Sequence, residues 1–105
     1  MNIKLLSIEA DAPDFEITLD ELPVRVGRHQ DVKIQIQDRW ISRLHCEIDH
    51  IEGTLNVRDL GSRHGVFVNG FHVVQAHLMP DDRLTIGMTS FRVHYEREAA
   101  ALASR

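Results

Sequence analysis

Cysteine is nearly absent: Cys46 is the only one in 105 residues. That excludes an internal disulfide and any metal site built on cysteines. Long apolar runs are missing too. None approaches membrane-spanning length, and the opening MNIKLLSIEADAP holds too short an apolar stretch for a secretory signal. A cytoplasmic protein, or the cytoplasmic piece of one, is expected, without membrane insertion. Positive charge is in deficit, with 12 Lys and Arg against 16 Asp and Glu and a net charge of -4. A general nucleic-acid binder would usually be basic overall. Aromatic residues make up 6% and form no strand platform on which bases would stack. No nucleic-acid partner is expected. Seven histidines are present, but none stands in HxH or HExxH spacing, so no metal and no other cofactor is expected.

What remains is an ordinary globular composition, 43% hydrophobic and 27% charged. The length suits one domain with one small core. Apolar and polar residues alternate in short runs. Ile3 to Ile8 is a strand candidate. Phe15, Ile17 and Leu19 alternate with Glu16, Thr18 and Asp20 beyond the turn Asp11-Ala12-Pro13-Asp14, and the two runs read as a hairpin. The pattern continues through Val24 and Val26, Ile34 and Ile36, the run Leu44, Cys46 and Ile48, and the pair Leu55 and Val57. Val66 to Val68, Phe71 to Val74, Leu84 with Ile86, and Phe91, Val93 and Tyr95 complete it. Glu52-Gly53, Asn69-Gly70, Pro80-Asp81-Asp82 and Gly87-Met88-Thr89 are turns. Asn-Gly favours a two-residue hairpin because both residues tolerate positive φ. About ten short strands with closely spaced turns predict an all-β sandwich or barrel. The one helical candidate is 96–102 (EREAAAL), rich in alanine, free of breakers and short for an isolated helix. The domain is drawn over 1–96, with 97–105 as a C-terminal tail, a short helix, or a linker within a larger protein.

Three loops carry the chemistry: Gly27-Arg28, Ser42-Arg43-Leu44-His45, and Gly61 to Gly70 (GSRHGVFVNG). Each brings a group able to hold a phosphate, namely Arg28, Ser42 with Arg43, and Arg63 with His64. Arg28, His29, Arg39, Arg43, Arg63 and His64 stand against Asp31 and Asp38. An acidic chain thus has a basic excess in these loops. Ser42, His45 and Asp59 could be assembled into a triad, but no nucleophile elbow or oxyanion loop accompanies them, and no catalysis is expected. Cys46 shares the phase of Leu44 and Ile48 and reads as an inert core thiol. His45 reads as a structural histidine. Trp40 sits in a loop, and packing onto the core is favoured over exposure beside a ligand.

In order and spacing, Gly27-Arg28, Ser42-Arg43-x-His45 and Asp59-Leu60-Gly61-Ser62-x-x-Gly65-x-Phe67-Val68-Asn69-Gly70, followed by LMPDDRLTIG at 78–87, resemble the forkhead-associated (FHA) domain. The resemblance spans residues 3–96. It implies a β-sandwich of two twisted antiparallel sheets whose loops at one end bind phosphothreonine in an extended peptide of a partner protein. It implies that Arg28 contacts the phosphate, that Ser42 hydrogen-bonds it, and that Arg43 contributes to the same pocket. Arg63 and His64 join them as peptide-binding positions. Gly27, His45, Gly65, Asn69 and Gly70 hold loop geometry by the same resemblance. Many members carry Asn-Gly-Thr where this chain has His64-Gly65-Val66. That Asn would hydrogen-bond the ligand backbone, and His64 would donate with a different reach and with pH dependence. Arg63 stands where members often carry Thr, Ser or Lys, and adds a second cation.

A phosphothreonine carries about -1.5 to -2 charge and three acceptor oxygens. Arginine meets it with a rigid fork of donors, and a charge-assisted hydrogen bond contributes about 1.5–3 kcal/mol. Micromolar affinity, about -8 kcal/mol, therefore needs peptide contacts beyond the phosphate once ordering losses are counted. The expected function is a phosphothreonine-dependent interaction module in Ser/Thr kinase signalling. The alternative is an FHA-like scaffold or self-association domain that works without phosphate.

Overall fold

The structure, a computed structural model, describes residues 2–9 and 12–96. The tail at 97–105, and with it all but Glu96 of the helical candidate at 96–102, lies outside the described residues. The alternating runs become strands β1 (Asn2–Ser7), β2 (Phe15–Thr18), β3 (Val24–Gly27), β4 (Ile34–Gln35), β5 (Cys46–Ile51), β6 (Thr54–Asp59), β7 (Val66–Val68), β8 (Phe71–Val73), β9 (Gln75–Leu78), β10 (Arg83–Ile86) and β11 (Thr89–Glu96). They form a six-stranded sheet in the order β2-β1-β11-β10-β7-β8 and a five-stranded sheet in the order β4-β3-β5-β6-β9. The predicted hairpin of the first two strands is present, with Ile3 opposite Ile17.

The two sheets face each other across one apolar layer. Ile3, Leu5, Leu84, Ile86, Phe91 and Val93 come from the first sheet; Val26, Cys46, Ile48, Leu55, Val57 and Leu78 come from the second. All are fully buried. Each such side chain contributes about 1.5–3 kcal/mol on burial. Phe91 meets Phe15 edge to face, with ring centroids 5.9 Å apart. Tyr95 ties the sheets together: its hydroxyl accepts from the Leu55 N–H of β6 at 2.9 Å and donates to the Leu78 carbonyl of β9. Burial raises the Tyr95 phenol above its usual pKa. Burial likewise pushes the Cys46 thiol up, which keeps it protonated and inert.

Three features were not legible in the alternation. β9 was missed, because Gln75 and His77 are exposed polar residues and Val74 alone separates β8 in one sheet from β9 in the other. β4 pairs with β3 in parallel, Val26 opposite Ile34, so the antiparallel pattern has one exception. Leu44 lies outside the strand and is exposed, since pairing of β5 with β3 begins at Cys46 opposite Val26. The expected Asn69-Gly70 turn is present, with φ of 52° and 85°. Its Asn69 carboxamide accepts from the Arg83 N–H at 2.9 Å and donates to Asp82 at 3.0 Å.

Glu21 closes a single 3-10 turn after β2. Its carboxylate accepts from the Thr18 N–H at 3.0 Å, faces the Lys33 ammonium at 2.9 Å and accepts from the Thr18 hydroxyl at 2.8 Å. These hold its pKa at about 2. Because the folded value is depressed, the stabilisation is present above the unfolded carboxylate's titration and is lost as pH falls toward about 2. Glu21→Gln should lower stability at neutral pH and flatten its decline between roughly pH 4.5 and 2. Denaturant titrations across that range would read this directly; parallel curves for the two proteins would refute it.

Candidate functional site

The three loops singled out above meet at one end of the sandwich, and backbone hydrogen bonds lock them together. The Arg28 N–H donates to the Ser42 carbonyl at 3.0 Å and the His29 N–H to the Arg43 carbonyl at 3.2 Å. This close crossing explains Gly27. A Cβ there would lie 2.0 Å from the Arg43 carbonyl oxygen, so any side chain would force the segments apart.

His45 joins the second loop to the third from a fully buried position. Its Nδ1 accepts from the Ser42 N–H at 3.1 Å. Its Nε2 lies 2.7 Å from the Gly65 carbonyl, which can only accept, so the ring proton is assigned to Nε2. Its backbone accepts from Leu60 at 3.0 Å and donates to Val26 at 2.9 Å. Both ring nitrogens are thus committed to backbone groups. Neither serves Ser42 Oγ as a base, and Asp59 instead accepts from the Ser62 N–H at 3.2 Å. No triad is assembled.

Ser42 and Arg28 are held with their donors unspent. Ser42 Oγ accepts from the Arg63 N–H at 3.0 Å, which fixes the oxygen and leaves its own proton free. The Arg28 Nε donates to the Ile41 carbonyl at 3.0 Å. Among the described residues its two Nη groups have no partner, and none of Arg28, Arg39, Arg43 and Arg63 forms an ion pair. A cavity of about 340 Å³ is lined by Arg28, Arg39, Trp40, Ile41, Ser42, Arg63 and His64, with no acidic side chain on it.

The structure therefore brings Arg28, Ser42, Arg63 and His64 together in one cavity. Arg43 is not on it. Arg43 lines a second cleft that shares Arg28 with the first, together with His29, Gln30, Gln35 and Gln37. Trp40 corrects an expectation. It lies half exposed on the cavity wall, stacked edge to face on His64 at 5.1 Å, with the Arg39 guanidinium 4.8 Å from its ring centre. Gly65, Asn69 and Gly70 lie away from the lining; Gly65 is filled over by His72, whose Nε2 would sit 2.6 Å from an added Cβ.

The residue that sequence reasoning missed is Asp38. Its carboxylate caps Trp40 N–H at 2.8 Å and reaches the 87–89 turn, accepting from Met88 N–H at 2.8 Å and Thr89 hydroxyl at 2.9 Å. Burial works to raise its pKa, but these three hydrogen bonds outweigh it and hold the carboxyl below its usual range. Asp38 thus pins the Arg39–Ile41 wall to the opposite sheet and turns its charge away from the cavity. A signal was present in the Asp-x-Trp spacing of an Asx turn, though its distant partner at 88–89 was not.

A family model, FHA domain, matches residues 24–87. The chain belongs to the FHA domain family. Among curated proteins it is similar to the glycogen accumulation regulator GarA of Mycobacterium tuberculosis, 38% identical over 69 residues, which cover 66% of this chain and 43% of GarA. The chain thus spans less than half the length of that relative. Among solved structures this FHA chain resembles the FHA domain of CT664 from Chlamydia trachomatis, with a TM-score of 0.81 and 26% identity over 92% of this chain and 100% of that one. It also shares the fold of the N-terminal FHA domain of Rad53p from S. cerevisiae, solved with a phosphothreonine peptide, with a TM-score of 0.79 and 17% identity over 91% and 94% of the two chains. The all-β sandwich expected from the strand pattern is the fold of these FHA domains. No helix among the described residues is long and apolar enough to cross a membrane.

Proposed function

We propose that this FHA domain binds phosphothreonine in a partner protein, without chemistry of its own, and so couples a Ser/Thr kinase in the cytoplasm to a regulatory target. One observation carries this reading. The Arg28 fork and the Ser42 hydroxyl are both anchored by their other atoms and present unspent donors to one cavity free of acidic side chains. Donors fixed in advance spare the ordering cost of binding, and an ionised acceptor roughly doubles the strength of each bond. Arg63 supplies a further charge at the rim, and Trp40 with His64 gives an aromatic wall for the peptide. The Rad53p domain of the same fold binds a phosphothreonine peptide, and GarA is a regulator by name; both fit the reading.

Calorimetric titration with a degenerate phosphothreonine peptide pool, against the same pool unphosphorylated, tests it. Heat with the phosphorylated pool alone is the expected result. Equal heat with both would make the domain a phosphate-independent scaffold. Affinity should also fall as pH drops through about 6, where the phosphate loses its second charge. A rise on acidification would overturn this account.

A further inference from the structure

No Asp, Glu, Lys or Arg stands between Arg63 and Asp81, in a chain that is 27% charged. The fold turns much of this stretch into one side of the sandwich. β8 is the last strand of the six-stranded sheet and β9 the last of the five-stranded sheet, and Val74 alone links them. Each therefore ends its sheet with a row of backbone N–H and C=O groups that no strand among the described residues pairs. Such edges are ordinarily guarded by charge, and the opposite side of the sandwich shows it. There β2 carries Glu16, which meets Lys4 at 3.7 Å, and Lys33 beside β4 meets Glu21 at 2.9 Å. β8 and β9 have only their shortness, three and four residues. Apolar surface is exposed beside them as well. Phe71 lies opposite Val68 in the ladder and so shares its core-facing side, yet Phe71 is 73% exposed where Val68 is 9%. The second sheet does not cover it. Val74, also 73% exposed, stands just past the other end of β8.

Two open edges, about 10 Å apart as packed sheets are, fit a partner that offers two edges at the same separation. A single extended segment satisfies one of them. This chain itself presents both. In a two-fold contact, groups near the axis meet their own copies, so a charge there would be repelled by its image. A side without charge is compatible with itself, and at a net charge of -4 two chains approach best where neither is charged. We propose that the β8–β9 side joins a second copy of this chain, strand to strand and antiparallel, continuing both sheets into it and covering Phe71 and Val74. No lining residue of the phosphate cavity lies on β8 or β9, so the contact stands without the phosphothreonine reading. Where that reading holds, a joined pair carries two cavities and brings two phosphorylated partners together.

Sedimentation equilibrium of the intact chain from about 10 µM to about 1 mM reads the association, since edges this short make a small and weak interface. The average mass should rise toward twice that of one chain, and amide exchange over 71–78 should slow across the same range. Phe71→Lys and Val74→Lys each bring two cations to the shared side and should weaken association about tenfold or more. Both positions are exposed, so the fold should hold, with thermal unfolding as the check. Ile8→Lys, at an exposed position beyond β1 and toward the opposite edge of the six-stranded sheet, should leave association unchanged, as should Arg28→Ala. A chain still monomeric at about 1 mM would overturn the proposal. Association that survives both Phe71→Lys and Val74→Lys, or that leaves exchange at 71–78 unaltered, would overturn it too by placing the contact elsewhere.

Discussion

Arg28→Ala should weaken phosphopeptide binding by about 2–3 kcal/mol, or roughly 30–150-fold, while leaving the domain folded. The size follows from what the side chain does. Its Nε bond to the Ile41 carbonyl fixes the guanidinium plane, so both Nη donors are held ready to meet a phosphate in one orientation, which is the geometry that makes arginine a fork. Removing it deletes two charge-assisted bonds and the charge nearest the anion. The fold survives because Arg28 is exposed and its structural bond to Ser42 runs through the backbone N–H. Arg28→Lys should recover only part of the loss. A lysine restores the charge but cannot hold the Ile41 carbonyl and aim two donors at once. Peptide titration with Arg28→Ala and Arg28→Lys checks this, with thermal unfolding as the control. Equal affinities for the lysine variant and the unaltered protein would reduce the arginine to a point charge. An unaffected alanine variant would remove Arg28 from the site.

His45→Ala should destabilise the domain by about 3–5 kcal/mol, a large share of the 5–15 kcal/mol typical of a native domain. The loss has two sources. The Ser42 N–H and the Gly65 carbonyl lose their partners, at about 1–3 kcal/mol for each group left unsatisfied. An imidazole-sized void also opens where the residue is fully buried. For a domain of this size the midpoint of thermal unfolding should fall by roughly 12–40 °C. His45→Gln separates the causes, since its amide can both accept and donate within nearly the same volume. It should regain much of the stability. A loss below about 1 kcal/mol for His45→Ala would show that water replaces the ring's hydrogen bonds and that the loops do not depend on it. Binding should suffer with stability here, because the same ring positions Ser42. That distinguishes His45 from Arg28, whose removal should affect binding alone.

The sandwich was legible because half-buried strands repeat with period two and a buried face must be apolar. Phe91, Val93 and Tyr95 alternate, and they line or edge the core. The Glu52-Gly53 and Asn69-Gly70 turns were legible because both central positions have positive φ, which few residue pairs accept. The order Gly27-Arg28, Ser42, His45 and Gly61 to Gly70 marked the loops, since close crossings and fixed donors demand particular residues. Asn56 shows the limit of alternation. It holds a polar phase yet is nearly buried, because β6 lies inside its sheet with Asp49 on one neighbour and His77 on the other.

The sequence by itself determined the alternation that makes the core and which side chains in the loops carry phosphate-compatible donors. Those are properties of single side chains and of local period. The tertiary structure alone decided which of the cations share a cavity. Arg28, Arg39 and Arg63 line one cleft, while Arg43, next to Ser42 in the chain, lines an adjoining one that shares only Arg28 with it. Trp40 lines the first cleft instead of covering the core, because Asp38 ties its loop to residues about fifty positions away. Direction and convergence of this kind come from long-range backbone and carboxylate hydrogen bonds. Those leave no period in the sequence.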